Sequence, residues 1–167
     1  ARPPSNEPGL FDDPEDLLAD EAARVEAASA LQYDTVLTWD AFDAWLARIN
    51  AADLVALDPE TTSLDEMVAE RVGSGLSVEP GAGAYIPLAH DYPDAPAQLP
   101  RDEVLARLTP WLVDGQKKKL GQHVKYDRHV FANHSIEVQG YVHDTMLQSY
   151  VLELHKPHGL ASLAERH

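Results

Sequence analysis

Residues 54–64 read LVALDPETTSL, a short apolar run followed at once by acidic and hydroxyl side chains. The apolar part, Leu54 to Leu57, has the length and continuity typical of a strand buried on both faces of a sheet. Asp58 and Glu60 follow it, and residues two apart in an extended chain point to the same side, about 7 Å apart at their Cα atoms. The stretch therefore predicts a central strand that ends in a pair of carboxylates.

The sequence on either side of this stretch alternates between strand-like and helix-like patterns. The further strand-like runs are residues 33–37, 68–78, 84–88 and 118–121, with a turn at residues 79–81 that predicts a hairpin. The helix-like patterns are one that Thr38 caps and others over residues 101–113, 124–133 and 145–153. Mixed strands followed by alternating helices predict an α/β domain, a mixed β-sheet flanked by helices.

The start of the chain differs in composition from the rest. Residues 1–30 contain eight acidic residues against two arginines, and three prolines lie near the beginning. This segment carries -6 of the chain's formal net charge of -15. We interpret residues 1–31 as an acidic, Pro- and Ala-rich linker and residues 32–167 as the folded domain.

Composition also limits the class of protein. The 167 residues are 44% hydrophobic and 25% charged, and no apolar run approaches the roughly 18 residues that a membrane span needs. The absence of cysteine excludes a disulfide scaffold and a thiolate metal site. No secretory signal is visible, so we expect a cytoplasmic protein without a membrane partner. The acidic balance opposes binding to a polyanion unless something neutralises it locally.

A second polar segment, GQHVKYDR at residues 121–128, opens one of the predicted helices. If Asp127 faces Asp58 and Glu60, three carboxylates meet, and like charges can coexist only by binding cations or shifting their pKa values. Oxygen ligands alone suit a hard divalent cation such as Mg²⁺ or Mn²⁺. The alternative is a surface helix on which Lys125 and Arg128 are solvated.

A third segment, HDTMLQSY at residues 143–150, begins another predicted helix. Asp144 lies where a carboxylate can accept hydrogen bonds from the first free backbone N–H groups of that helix. We therefore predict a structural role for Asp144, as the N-cap.

Five segments in this order resemble the 3'-5' proofreading exonuclease domain of bacterial DNA polymerase I, within the DEDD superfamily. They are LVALDPETTSL at 54–64, VEPGAGAYIPLAHDY at 78–92, LGQHVKYDR at 120–128, HDTMLQSY at 143–150 and SLAER at 162–166. The resemblance covers residues 32–167 and implies a ribonuclease H-like fold. It implies that Asp58, Glu60 and Asp127 are catalytic residues that hold two divalent metal ions, Mg²⁺ or Mn²⁺. It also implies that Leu64 wedges near the terminal base, and that Gln122, His123 and Tyr126 contact the substrate strand or support the site.

The function that this resemblance implies is two-metal hydrolysis of nucleotides from the 3' end of single-stranded or frayed DNA. The implied partners are that DNA end and a polymerase domain of the same parent chain, and we expect a monomer. A non-catalytic exonuclease-fold spacer domain and a ribonuclease D-like RNA exonuclease are the alternatives.

The sequence departs from the family pattern at three points, which bear on whether the family's activity applies to this chain. The family completes its site with a later Tyr-x-x-x-Asp motif, which this sequence does not contain, so we expect a C-terminally truncated domain with weak or no activity. Pro59 stands where the family usually has Thr, and it removes a backbone hydrogen-bond donor. His123 stands where the family usually has Asn, and imidazole titrates near neutrality.

Overall fold

A six-stranded mixed sheet forms the centre of the computed structural model, which describes residues 31–63, 65 and 69–166. Its strands are β1 (Gln32–Thr35), β2 (Val55–Thr61), β3 (Arg71–Glu79), β4 (Ala82–Pro87), β5 (Lys119–Gly121) and β6 (Tyr141–Asp144). Their order across the sheet is β1-β4-β3-β2-β5-β6. Strands β2, β3 and β4 pair antiparallel, whereas β5 runs parallel to both β2 and β6. The predicted central position of β2 and the predicted hairpin are both confirmed.

The helices are α1 (Trp39–Ala51), α2 (Arg101–Val113), α3 (Val124–Ala132), α4 (Thr145–Leu152) and α5 (Leu160–Ala164). Thr38 caps α1, since its side chain accepts a hydrogen bond from the Ala41 N–H at 3.3 Å. Phe42, Trp45 and Ile49 recur at helical spacing and are buried against the sheet. None of the helices in the described part of the chain is long and apolar enough to cross a bilayer.

Strand β2 is longer than its apolar run. Antiparallel pairing with β3 continues from Ala56 opposite Ser77 to Thr61 opposite Arg71, so it keeps the polar residues extended. Asp58 and Glu60 therefore lie within the strand, and the prediction that they follow it is wrong. The prediction of burial on both faces is also wrong, because only alternate residues are buried.

Pro59 occupies a position in β2 where proline is tolerated. Pairing of β2 with β5 involves only Val55 and Ala56, so beyond Ala56 the strand has β3 as its single neighbour. This stretch resembles an edge strand, in which a missing N–H costs little. Pro59 is buried and, by strand alternation, points away from the side of Asp58 and Glu60.

Two elements were missed by the sequence patterns, β6 and α5. Strand β6 is only four residues long with no strict alternation of apolar and polar side chains, and α5 has only five residues. Such short segments carry too few periods to be recognised. The acidic segment at residues 1–30 lies outside the described residues, so its role as a linker stays a prediction.

Candidate functional site

Two of the predicted site residues project from one face of β2. Asp58 and Glu60 are both exposed, while Val55 and Leu57 on the opposite face are buried. Burial of part of the Asp58 side chain, together with the negative charge of Glu60, raises the pKa of Asp58. The two carboxylates are therefore electrostatically coupled on an accessible surface.

The third carboxylate, Asp127, lies in the first turn of α3 and is only 3% exposed. Burial raises its pKa to about 8, and the charges of Asp58 and Asp144 act in the same direction, while Arg71 opposes them. Asp127 and Asp58 are thus electrostatically coupled, although they are far apart in sequence. Within the described residues, however, no three His, Asp or Glu side chains converge closely enough to hold a metal ion in this conformation.

The carboxylate of Asp127 leaves one oxygen without a partner. Its Oδ2 is buried and accepts no hydrogen bond. A Cβ at Gly121 would lie 3.1 Å from this oxygen and 3.2 Å from the ring of Tyr141, so glycine leaves the space that both side chains use. An unpartnered buried carboxylate oxygen fits the chemistry of a hard cation. Without a cation or a hydrogen-bond donor, nothing offsets the energy that is needed to remove this oxygen from water.

Arg71 is a fully buried cation next to this acidic group, and the sequence patterns gave no sign of it. Its guanidinium donates from Nη2 to the Ser74 hydroxyl and lies 4.3 Å from the ring centroid of Phe131, one helical turn beyond Asp127. Nε and Nη1 have no partner, and burial lowers the pKa of Arg71 to about 10. A lone arginine at the start of a β-prone run belongs to no motif, which is why only the fold reveals its position.

Tyr141 is a second residue that sequence reasoning missed, because it lies on β6. Its hydroxyl is buried and unpartnered. Burial raises the pKa of Tyr141, and the charge of Asp127 adds to that rise. Tyr141 therefore forms part of the wall around the buried carboxylate.

Tyr126 connects α3 to the end of β2. Its hydroxyl lies 2.6 Å from the Thr61 Oγ1 and donates to the Ser63 carbonyl. The ring of His123 stacks on that of Tyr126, with centroids 5.9 Å apart. His123 is exposed and has φ 65° in the left-handed region, which Asn and His adopt more readily than most residues.

Gln122 has internal partners at both ends of its amide. Nε2 donates to the His158 carbonyl at 2.8 Å, and Oε1 accepts from the Thr145 hydroxyl. The residue thereby ties the start of α3 to α4 and to the loop after it. Leu64 lies outside the described residues.

Asp144 confirms its predicted role as the N-cap of α4 and extends it. Its carboxylate accepts from the N–H groups of Met146 at 3.0 Å and Leu147 at 3.2 Å. It also accepts from Val124 at 2.9 Å and His123 at 3.3 Å, so one side chain caps the starts of both α3 and α4. Because Asp127 lies in the first turn of α3, this double cap fixes the position of the buried carboxylate.

The basic residues Lys117, Lys118, Lys119, Lys125 and Arg128, which lie close together in the sequence, do not form one surface. Lys119 is fully buried, with Nζ donating to the carbonyls of Lys117 at 2.8 Å and Asp114 at 3.3 Å and lying 4.3 Å from the ring centroid of Trp111. Burial lowers its pKa to about 8. Lys125 and Arg128 remain exposed on α3.

A family model described as "3'-5' exonuclease" matches residues 33–167. The chain belongs to this exonuclease family. It is 48% identical over 133 residues to DNA polymerase I of Pseudomonas aeruginosa, a match that covers 78% of this chain and 15% of the relative. The chain thus spans about 15% of the length of that curated relative.

Solved structures agree on the fold. The POL domain of Pol1 from M. smegmatis, in complex with DNA primer-template and dNTP, superposes with TM-score 0.63 at 22% identity, covering 79% of this chain and 22% of that one. Escherichia coli RNase D, an exoribonuclease involved in structured RNA processing, gives TM-score 0.57 at 20% identity, covering 81% and 33%. The predicted ribonuclease H-like α/β fold and the predicted family are therefore confirmed.

Proposed function

We propose that this exonuclease domain hydrolyses the 3'-terminal nucleotides of single-stranded or frayed DNA with the help of two divalent cations. The observation that carries the proposal is Asp127, a buried carboxylate with an orphaned oxygen whose pKa responds to the charge of Asp58. Asp58 lies with Glu60 on the open face of β2, where a polynucleotide has access. A buried acid coupled to an accessible acid, which is itself coupled to a second one, is an arrangement that costs stability unless cations neutralise it.

In this proposal Asp58, Glu60 and Asp127 hold Mg²⁺ or Mn²⁺. When bound, such ions lower the pKa of an attacking water and stabilise the departing 3' oxygen. The chain's own contribution is to fix the carboxylates: Tyr126 ties α3 to the end of β2, and the double cap by Asp144 ties the start of α3 to the start of α4. With the acids neutralised, an acidic chain of net charge -15 can accept a phosphate backbone.

The substrate-facing roles of Leu64, Gln122, His123 and Tyr126 are also proposals. The exposed ring of His123, stacked on Tyr126, supports contact with a nucleotide. The internal hydrogen bonds of Gln122 support a bracing role rather than direct contact. The partner domain in this proposal is a polymerase domain of the same parent chain.

Turnover by the 167 residues alone should be slow. The sequence contains no Tyr-x-x-x-Asp, so the proposed site has three of the four acids of the DEDD pattern. A longer chain from the same gene that includes such a motif should degrade a labelled oligonucleotide much faster. Rapid Mg²⁺-dependent release of nucleotides by the 167-residue protein would contradict this part of the proposal.

The test of the site compares Asp58→Asn with Asp53→Asn, a matched change at an exposed aspartate just before β2. Calorimetry with Mn²⁺ should show uptake by the wild type and by Asp53→Asn, and loss of uptake in Asp58→Asn. Equal uptake by all three proteins would contradict the proposal and favour a non-catalytic spacer domain.

A ribonuclease D-like activity on RNA is the second candidate, because RNase D shares this fold. Digestion of matched DNA and RNA oligonucleotides by the longer chain separates the two functions. Faster degradation of DNA supports the polymerase-type role, and faster degradation of RNA replaces it.

A further inference from the structure

Three ring side chains form a connected series from β4 into the loop that follows it. The Tyr85 hydroxyl lies 2.6 Å from Nε2 of His90, and their ring centroids are 5.8 Å apart. The ring of Tyr92 lies 5.7 Å from that of His90. We call Tyr85, His90 and Tyr92 the aromatic array.

The aromatic array begins beside the accessible carboxylates. Gly73 on β3 is the register partner of Glu60, and a Cβ at Gly73 would lie 2.0 Å from the Tyr85 hydroxyl. Directly opposed residues have Cβ atoms about 5 Å apart. The Tyr85 hydroxyl therefore lies within about 7 Å of the Glu60 Cβ, on the same face of the sheet. The charge of Glu60 accordingly adds to the effect of burial in raising the pKa of Tyr85.

Gly73 and Gly75 on β3 lie between the carboxylates and the array, and we call them the glycine floor. Because they have no side chains, this part of the sheet surface is open. Gly75 pairs with Asp58 on one side and with Tyr85 on the other, so the three positions form one row across the sheet. A cavity of about 530 Å³ includes all three of these residues in its lining. A chain passing over this floor would meet carboxylates on one side and an aromatic ring on the other.

The middle of the array is held in place, and its far end is accessible. The side chain of Gln98 binds the backbone of His90 twice, with Oε1 accepting from the N–H at 2.9 Å and Nε2 donating to the carbonyl at 2.7 Å. Tyr92 remains 55% exposed. An exposed ring beside a restrained one leaves a face on which another ring can stack.

We propose that the aromatic array stacks the bases of the single strand whose 3' end reaches Asp58 and Glu60. This inference rests on the proposed function. Every base has a π-face, so stacking holds a strand without sequence preference. It also suits a protein of net charge -15, because stacking supplies an attraction that does not depend on charge and so offsets part of the repulsion of the phosphates.

The test measures binding of a fluorescent oligodeoxythymidylate by anisotropy in Ca²⁺, beside an oligonucleotide of equal length whose internal nucleotides are abasic. Tyr92→Ala should weaken binding of the intact strand about fivefold or more, as loss of one stacking contact requires, and leave the abasic strand unchanged. Tyr92→Trp should bind the intact strand at least as tightly as the wild type. Tyr150→Ala is the matched control, because Tyr150 is another exposed tyrosine beside a histidine ring, that of His158, and lies outside the array.

Each outcome decides one question. If wild type and Tyr92→Ala bind the intact strand equally, or if Tyr92→Ala weakens binding of the intact and abasic strands equally, base stacking by the array is overturned. Asp58-dependent uptake of Mn²⁺ would be unaffected by either result, so the proposed function would stand. If the wild type binds no oligonucleotide at all and shows no such uptake, the proposed function fails together with the array. Thermal unfolding of the variants checks that Tyr92→Ala retains the wild-type fold.

Discussion

The two faces of β2 follow different physical rules although their residues alternate along one strand. Val55 and Leu57 are 1% and 2% exposed and belong to the hydrophobic core. Asp58 and Glu60 lie on the other face, where the charge of Glu60 and partial burial make ionisation of Asp58 less favourable. The buried face therefore stabilises the fold. On the other face, the repulsion between two neighbouring carboxylates lowers the stability of the folded state.

Among the described residues, the buried cations Lys119 and Arg71 differ in a similar way. Lys119 has carbonyl partners and an aromatic face, whereas Arg71 leaves two nitrogens unpartnered next to the acidic site. A buried cation that leaves some of its donors unpaired costs the fold more stability than one whose charged group is held by carbonyl oxygens. The predictions below test this division, beginning with the largest effect.

Leu57→Ala and Asp58→Asn change neighbouring residues on opposite faces of β2. Leu57→Ala should lower the free energy of unfolding by about 2–5 kcal/mol, because it opens a cavity in the core. Asp58→Asn should leave it unchanged or slightly raised, since the charged form is disfavoured in the fold. Urea unfolding at pH 7 without divalent cations measures both. Similar losses in the two variants would show that the faces do not differ as described.

The buried cations should respond to apolar replacement with opposite signs. Arg71→Leu should raise the free energy of unfolding by about 1 kcal/mol, because the desolvation cost of its two unpartnered nitrogens exceeds the loss of the Ser74 hydrogen bond and the Phe131 contact. Lys119→Met should lower it by about 1–2 kcal/mol, because the Lys117 carbonyl loses its donor. Denaturant unfolding at pH 7 distinguishes the two, and a loss of stability in Arg71→Leu would mean that the Ser74 and Phe131 contacts outweigh the cost of the unpartnered nitrogens.

Asp127→Asn should change the pH dependence of stability. The pKa of Asp127 is raised to about 8 in the fold, so the folded state holds its proton more tightly than the unfolded state does. The stability from this group is fully present below the unfolded pKa and is lost as pH rises through about 8. Without divalent cations, the variant should therefore gain a few degrees in Tm relative to wild type between pH 5 and pH 9. A difference in Tm that is the same at both pH values would contradict the assignment.

Asp144→Ala should lower the free energy of unfolding. Loss of a cap typically costs about 0.5–2 kcal/mol, and this carboxylate serves two helices, so we expect a value in the upper part of that range. Asp144→Asn, which keeps an acceptor oxygen, should recover most of the loss. Thermal unfolding of both variants provides the measurement, and equal stability of Asp144→Ala and wild type would rule out the double cap.

Local sequence predicted the elements whose signals are themselves local. The bounds of α2, the Thr38 cap, the hairpin and the Asp144 cap all depend on residues within a few positions of one another. The family followed from five segments in a fixed order, and its model matches residues 33–167. The sequence patterns missed features that depend on pairing with a distant strand. These are the length of β2, the existence of β6 and the buried position of Lys119.

The amino-acid sequence by itself determined the class of fold, the family and the types of side chain available for chemistry, because periodicity, capping residues and motif order are written along the chain. Only the tertiary structure decided which groups share an environment: Asp127 with Asp58, Arg71 beneath α3, and Tyr85 across the glycine floor from the carboxylates. The reason is that burial and electrostatic coupling depend on distances in space, and pairing between strands brings together residues that no local pattern connects.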